Sequence, residues 1–246
     1  MNVISEGLSF LTDPANWSGS AGIPVRLWEH VQISFYATAL GTAVALPIGL
    51  LIGHARRGEA IVSSIGNIGR ALPSFGVLGI VFPFSLRYLP GSIGFTATLF
   101  ALFLLAIPPI LINTYVGVQA VDEDALESAT GMGMSWRQIL FVLEIPLAAP
   151  LIIAGIRNAA VAVVATATLG ALVAWGGLGR FIIDGFAVRD NGQILAGAIL
   201  VAGLAVVTEL GIGRIEKILS PKGLRPRAYI PGETQLTSTS MGMESA

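Results

Sequence analysis

Long runs of apolar residues alternate with short polar segments along the chain. Five stretches contain no Asp, Glu, Lys or Arg: 31–53, 71–86, 91–121, 158–179 and 191–208. Most of them reach the roughly 18 to 20 residues that cross a bilayer as an α-helix. The pattern predicts an all-α polytopic membrane protein with about five spanning helices.

The predicted spans differ in regularity. The second contains Pro73 and Pro83, and proline removes a helical hydrogen bond, so we expect this span to be kinked and to lie in the protein interior. In the third, Pro108 and Pro109 predict a kink or an end of the helix before Asn113. The fourth is rich in small residues and is expected to pack closely on its neighbours. The five spans are placed at about 31–53, 59–89, 93–114, 147–172 and 193–213.

Composition supports a membrane protein and excludes several kinds of chemistry. The chain of 246 residues is 54% hydrophobic and 12% charged, and its mean hydropathy is +0.77. It has no cysteine, which excludes disulfides and thiolate metal sites. His30 and His54 lie far apart in the sequence, no Ser/His/Asp set converges, and a net charge of −1 gives no indication of nucleic-acid binding. The sequence therefore predicts no catalytic residue, no metal and no cofactor.

Basic residues indicate an orientation, because cytoplasmic loops carry more Lys and Arg than external ones. This bias places the N-terminus outside and the C-terminus inside. We expect an external amphipathic segment at 1–30, a transmembrane domain at 31–218 and a disordered cytoplasmic tail at 219–246. The basic residues on the inner side are Arg56, Arg57, Arg137, Arg214, Lys217, Lys222, Arg225 and Arg227.

A polar insert at 122–146, between the third and fourth spans, is much longer than a connection requires. Acidic residues precede a short helical stretch, where the helix dipole favours negative charge. Gly131 and Gly133 permit a sharp turn, and apolar residues then recur at helical spacing from Trp136 to Leu143 before Pro146. The pattern predicts two short helices joined by a glycine turn, on the cytoplasmic side and suited to docking.

The insert resembles the EAA loop of bacterial ABC importer permeases. Glu127-Ser128-Ala129 is followed after three residues by Gly133, and after nine more by Leu143-Glu144-Ile145-Pro146. Ser128 replaces the second alanine of that pattern. Flanking segments are similar to the glycine betaine/choline/carnitine branch of these permeases, namely Leu11-Thr12-Asp13-Pro14-Ala15-Asn16-Trp17, Ala154-Gly155-Ile156-Arg157, Ala167-Thr168-Leu169-Gly170-Ala171 and Gly176-Gly177-Leu178-Gly179.

The resemblance implies the type I ABC importer permease fold in a bacterial cell membrane and an osmoprotectant as solute. Implied partners are an ABC ATPase subunit, which hydrolyses the ATP, a second permease copy or a sibling permease, an extracytoplasmic solute-binding protein and the lipid bilayer, with no nucleic acid. The alternatives are a permease for another small solute such as an amino acid, or a secondary transporter. The implied ATPase-coupling residues are Glu127, Ser128, Ala129, Gly131, Gly133, Trp136, Leu143 and Pro146.

Charged residues elsewhere have two candidate roles. Arg157, two turns into the fourth span, either contributes to a gate or supports the loop by pairing with Glu144. Asp184, Arg189 and Asp190 follow the glycine-rich segment 176–179 on the predicted outer side, where they are available to contact a binding protein. Glu209 is expected to pair with Arg214.

Aromatic side chains are the remaining candidates for a solute site, since quaternary ammonium groups bind aromatic faces. The resemblance assigns solute selection mainly to the binding protein, so no tight site is expected in this chain. The aromatic residues near the second and fourth spans are Phe75, Phe82, Phe84, Tyr88 and Trp175.

Overall fold

The computed structural model describes residues 2–71, 74–89 and 94–219, and within these ranges the chain is helical, with no β-strand. Two 3-10 segments (Pro14–Trp17 and Ala167–Val173) and a π-helical segment (Ile139–Glu144) interrupt the α-helices. The α-helices are α1 (Val3–Thr12), α2 (Ile23–His54), α3 (Glu59–Ala71), α4 (Ser74–Tyr88), α5 (Phe95–Gln119), α6 (Glu123–Gly131), α7 (Trp136–Gln138), α8 (Ile145–Thr166), α9 (Gly179–Val188) and α10 (Asn191–Leu219).

Four helical segments of the described chain are long and apolar enough to cross a membrane: Ile23–His54, Phe95–Gln119, Trp136–Val173 and Asn191–Ile218. The predicted second span corresponds to two shorter helices, α3 and α4, and residues 72 and 73 between them lie outside the described ranges. Four spans and a broken pair agree with the prediction of about five. The all-α multi-span architecture is therefore confirmed.

The two predictions about the proline-containing segments have different outcomes. The first placed the second span in the interior, which is wrong for the single chain: Phe75 and Phe84 of α4 are each 61% exposed, because α4 packs on α5 and the second 3-10 segment and leaves its other faces uncovered. The second was a kink or an end of the third span before Asn113. The end is wrong, since α5 continues to Gln119, and the kink stays a prediction. Packing overrides the two missing donors there, since Ala106 and Ile110 on either side are completely buried in the core.

The core lies between α2, α5 and α8 and contains small and branched apolar side chains. Small residues recur every four positions along α2, where a Cβ at Gly41, Gly49 or Gly53 would lie 2.7 to 2.8 Å from a side-chain atom of α5. Such stripes allow membrane helices to approach closely. The predicted close packing of the fourth span also holds, because Gly155 of α8 lies against the backbone of α5.

The N-terminal segment and α10 form a second packing unit. α1 lies along α10, with Gly7 against Leu195, and the rings of Phe10 and Phe181 meet edge to face at 5.8 Å. α2 begins at Ile23, earlier than the predicted 31. The predicted tail at 219–246 lies outside the described residues except for residue 219.

Candidate functional site

The first half of the 122–146 loop is a short helix with a defined start. The side chain of Asp122 accepts hydrogen bonds from the backbone N–H groups of Asp124 at 2.8 Å and Ala125 at 3.3 Å, and so caps α6. Glu127 and Ser128 project into solvent, whereas Ala129 is 3% exposed. The helix therefore presents Glu127 and Ser128 outward and anchors itself through Ala129.

Gly133 ends this helix in a Schellman motif. Its φ is +82°, its N–H donates to the Thr130 carbonyl at 2.9 Å, and the Met134 N–H donates to the Ala129 carbonyl at 3.1 Å. No atom lies within 4 Å of a Cβ built at Gly133, so the requirement for glycine is the left-handed backbone alone. Gly131 is different: it is the last helical residue and has no positive φ, so the expectation that it helps to make the turn is wrong.

The second half of the loop starts with a capping box. The Ser135 hydroxyl accepts from the Gln138 N–H at 3.5 Å, and the Gln138 Oε1 accepts from the Ser135 N–H at 2.7 Å. Trp136 begins α7 and is 52% exposed, and Met132 and Phe141 are more exposed still, at 76% and 64%. The predicted pair of short helices with an apolar exposed surface is confirmed.

The loop joins α8 through the π-helical segment, in which one face is buried. Leu143 is partly buried, Pro146 is exposed at the start of α8, and Glu144 is 1% exposed. The Glu144 Oε2 lies 2.6 Å from Nδ1 of His54, the last residue of α2. A buried carboxylate is costly to leave unpaired, and the imidazole N–H satisfies it.

Arg157 has other partners than the predicted Glu144. Its guanidinium lies 3.5 Å from Glu209 and 3.1 Å from Glu216, both on α10. The predicted support of the loop by an Arg157–Glu144 pair is therefore wrong, as is the predicted Glu209–Arg214 pair. The physical reason is the packing of α10 on α8, which brings the two α10 carboxylates beside Arg157. The ion-paired cluster ties α8 to α10 instead.

Two hydrogen bonds join the end of α2 to the entry of the loop. Arg56, which has a positive φ of 50°, donates to the Val121 carbonyl at 2.9 Å. Gln119 at the end of α5 donates to the Gly53 carbonyl at 3.1 Å. The basic turn after the first span therefore holds the polypeptide at the point where the loop begins, a role that sequence reasoning missed.

The glycine-rich segment 175–179 lies at the opposite end of α2, and two side chains of that helix hold it. The Glu29 carboxylate accepts from the Gly177 N–H at 2.8 Å and from Arg26 at 2.9 Å. The His30 Nδ1 accepts from the Leu178 N–H at 3.2 Å, so its Nε2 is the donor to the Val164 carbonyl at 2.9 Å. His30 is 1% exposed.

Both histidines look isolated in the sequence, yet each makes hydrogen bonds to residues distant in the chain. Two weak sequence signals point to the His30 contacts: Glu29 and His30 stand side by side in an apolar helix, and the glycine-rich segment has little side-chain bulk to keep a neighbour away. A Cβ at Gly176 would lie 2.0 Å from the Glu29 carboxylate, and one at Gly179 would lie 2.3 Å from the Thr168 carbonyl oxygen. The glycine run therefore allows close approach of two backbones.

The charged residues of the predicted outer loop lie on and after α9. Asp184 pairs with Arg180 at 2.9 Å within the helix. Arg189 is exposed and ends α9 with a φ of +58°, and the Asp190 side chain accepts from the Gln193 N–H at 2.9 Å at the start of α10. Asp184 therefore lies in the second half of α9, and Arg189 and Asp190 directly follow it.

Neither an aromatic cage nor a metal site appears among the described residues. Phe75, Phe84 and Tyr88 are exposed along α4, and the ring of Trp175 lies tilted against that of Phe95 with centroids 4.8 Å apart, so the named aromatics do not converge on one point. Within residues 2–71, 74–89 and 94–219, no group of three His, Asp or Glu side chains is arranged to hold a metal ion. An apolar groove of about 680 Å³ lies between α2, α8 and α10.

This chain is similar to known transport proteins over most of its length. Residues 45–222 match the family model of the binding-protein-dependent transport system inner membrane component. The carnitine transport permease protein OpuCB of Listeria monocytogenes is 39% identical over 82% of this chain and 89% of its own length. The choline transport system permease protein OpuBB of Bacillus subtilis is 34% identical, over 81% and 89%.

A more distant relative and a solved structure extend the comparison. The osmoprotectant import permease protein OsmW of Salmonella typhimurium is 30% identical over 80% of this chain and 92% of its own. Among solved structures, an inward-facing conformation of the MetNI methionine ABC transporter superposes with a TM-score of 0.71, at 23% identity and over 80% and 95% of the two chains. At that identity the likeness shows the fold: the chain has the architecture of an ABC importer transmembrane subunit.

Proposed function

The chain belongs to the family of binding-protein-dependent transport system inner membrane components, and from this premise we propose that it imports osmoprotectants of the quaternary ammonium class, such as carnitine, choline or glycine betaine. The solute class is supported by relatives that are carnitine, choline and osmoprotectant permeases. They are 30 to 39% identical to this chain, and the match covers most of their length. The likeness to the methionine transporter is a likeness of fold and does not favour an amino acid.

The proposed energy source is a separate ABC ATPase subunit that binds the 122–146 loop. The loop is suited to this role because its shape depends on its own caps, at Asp122, Gly133 and Ser135, and its apolar side chains face solvent. Small residues near Glu127 allow a partner backbone to approach, and flexible methionines adapt to a groove. Closure of two ATPase subunits would bring two such loops together and favour one arrangement of the spans.

The proposed orientation places the 122–146 loop in the cytoplasm and the 175–179 segment outside. Arg56, Arg57 and Arg137 lie at the loop end of the molecule, in agreement with the positive-inside rule. A solute-binding protein would then contact the region of Asp184, Arg189 and Asp190. The exposed aromatic face of α4 supplies apolar surface for the bilayer or for a second permease copy or sibling.

Uptake in a host that lacks its own osmoprotectant importers tests the solute class. The chain is expressed with its ATPase and binding-protein subunits, and the accumulation of radiolabelled carnitine, choline and glycine betaine is compared with that of methionine and histidine. We expect saturable, ATP-dependent uptake of at least one quaternary ammonium solute and none of the amino acids. Uptake of an amino acid alone would contradict the proposal.

Co-purification tests the coupling role of the loop. A tag on this chain is expected to retain an ABC ATPase, and replacing Gly133 with tryptophan is expected to reduce both the retention and the uptake. Gly131→Ala is the matched control, because Gly131 is already helical and a Cβ there meets no atom within 4 Å. Equal retention and uptake for Gly133→Trp and wild type would reject the coupling role.

A further inference from the structure

A hydrogen-bonded pair of a histidine and a buried carboxylate lies where the 122–146 loop continues into α8. Glu144 closes the π-helical segment, and its carboxylate is withdrawn from solvent at 1% exposure. Its Oε2 lies 2.6 Å from Nδ1 of His54. Hydrogen bonds that involve a charged group are shorter and roughly twice as strong as neutral ones. The pair therefore joins two helices at a fixed distance.

The same imidazole also contacts the beginning of the second loop helix. The rings of His54 and Trp136 lie with their centroids 5.9 Å apart. Trp136 opens α7 and Glu144 ends the segment that follows it. One side chain from the end of α2 thus touches both ends of the 136–144 segment.

The end of α2 reaches the loop through contacts between residues distant in sequence. His54 and Glu144 are 90 residues apart, and His54 lies at the C-terminal end of α2. Arg56 and Gln119 fix the entry of the loop to the same end of α2. The end of α2 is therefore attached to the loop where the loop begins and where it ends.

We propose that His54 is a positioning residue that makes α2 move together with the 122–146 loop during transport. A displacement of the loop reaches α8 through the continuous helix. It reaches α2 through the core packing on α5 and α8 and, directly at the loop, through the His54–Glu144 bond and the ring contact with Trp136. This inference rests on the proposed function, because it assumes that an ATPase displaces the loop. Without the bond the core packing alone carries the movement to α2, so ATP hydrolysis continues while the end of α2 lags behind and fewer solute molecules cross per ATP.

Two substitutions of His54 separate its hydrogen bond from its ring contact. His54→Phe keeps an aromatic ring beside Trp136 and removes the donor, whereas His54→Asn keeps an N–H donor at the position of Nδ1 and removes the ring. The double variant His54→Phe/Glu144→Met replaces the pair with apolar groups of similar size, so no buried charge is left unpaired and folding is preserved. Arg57→Gln, on the exposed neighbouring turn residue, is the matched control.

The measurement is the number of solute molecules transported per ATP hydrolysed, in proteoliposomes containing the whole complex purified through a tag on this chain. We expect His54→Phe and the double variant to lower this ratio about tenfold, the equilibrium change that corresponds to the loss of one charge-assisted hydrogen bond. His54→Asn should recover most of the ratio, and Arg57→Gln should match wild type. A wild-type ratio in the double variant would overturn the inference and leave the pair a role in stability alone.

A distance measurement gives a readout that stability does not change. This chain has no cysteine of its own, so spin labels at Ala55→Cys and Thr130→Cys report the distance between the end of α2 and the loop, in complexes where one permease copy is labelled and the other subunits carry no reactive cysteine. In the wild-type background this distance is expected to stay constant when ATP is added, and in the double variant it is expected to change. A constant distance in both contradicts the inference, whereas absence of any ATP-driven uptake by the wild-type complex contradicts the proposed function instead.

Discussion

The two ends of the helical bundle hold their connecting segments in opposite ways. In the middle of the 122–146 loop, hydrogen bonds between residues close in sequence set the shape and most side chains face solvent. α2 contacts this loop at its beginning and its end. At the 175–179 segment, Glu29 and His30 of α2, both nearly 150 residues away, hold the backbone, and the glycines are packed tightly. Local caps allow a segment to move as a unit, whereas contacts across the bundle fix it to the neighbouring helix.

Glycines at the two ends illustrate the difference. Gly133 needs a left-handed backbone but has open space around it, whereas Gly179 has an ordinary backbone and a carbonyl oxygen where its side chain would be. Gly133 is required because its left-handed backbone sets the direction of the chain after α6. Gly179 is required because it lets two backbone segments lie close together. Substitution should therefore affect function at one end and folding at the other.

The largest effect is expected for Gly179→Ala. Its Cβ would lie 2.3 Å from the Thr168 carbonyl oxygen, and a backbone atom moves only if the 3-10 segment moves with it. We expect a loss of about 3 kcal/mol or more in the free energy of unfolding, at or above the upper end of ordinary overpacking. Denaturant titration in detergent measures it. A variant as stable as wild type would mean that the glycine-rich segment is held less tightly than the contacts indicate.

Removal of the His30 side chain should have the next largest effect. His30→Ala leaves the Leu178 N–H and the Val164 carbonyl unpaired in a buried region, which costs about 2 kcal/mol or more. The same unfolding titration measures the loss. Trp28→Ala, on an exposed residue two positions away, is the control and should change stability by less than about 0.5 kcal/mol. Equal losses of stability for His30→Ala and Trp28→Ala would mean that the His30 hydrogen bonds do not fix the 175–179 segment to α2.

Gly133→Ala should affect transport more than stability. Left-handed backbone costs a residue with a Cβ about 1 to 2 kcal/mol, and relief of that strain would turn α6 away from its present direction relative to α7. We expect a modest loss of stability together with a large fall in uptake. If Gly133→Ala instead lowers stability and uptake in parallel, the loop is not an independently folded unit.

Ser128 should give the smallest effect. It is exposed on α6, so Ser128→Ala, which restores the more usual loop pattern, is expected to change the free energy of unfolding by less than about 0.5 kcal/mol and to leave uptake unchanged. Ser128→Arg, on the same exposed face, should keep the stability and lower the uptake by obstructing the docked partner. Normal uptake by Ser128→Arg would place the docking surface elsewhere on the loop.

Local features of the fold could be predicted from the sequence, and distant contacts could not. Charge-free runs located most of the spans because the lipid-buried middle of a spanning helix excludes charge. Gly133 and the helices beside it could be predicted from the residues that favour turns and helix caps. The Glu144–His54 pair depends on how α2 meets the loop, which no local pattern contains, and the assignment of Glu144 to Arg157 failed for that reason. Pro108 likewise did not end α5, because packing on α2 and α8 outweighed its local preference.

The π-helical segment Ile139–Glu144 has a consequence for how the loop is aimed. A π-turn contains about one residue more than an α-turn over the same stretch of helix, and each residue of an α-helix corresponds to about 100° of rotation. Deleting one residue there would convert the wide turn into a regular α-turn, so α6 and α7 would keep nearly their present direction relative to α8. The same deletion in a regular turn of α8 would rotate them by about 100° about the axis of that helix. The wide turn therefore absorbs one residue without changing the direction in which the loop faces.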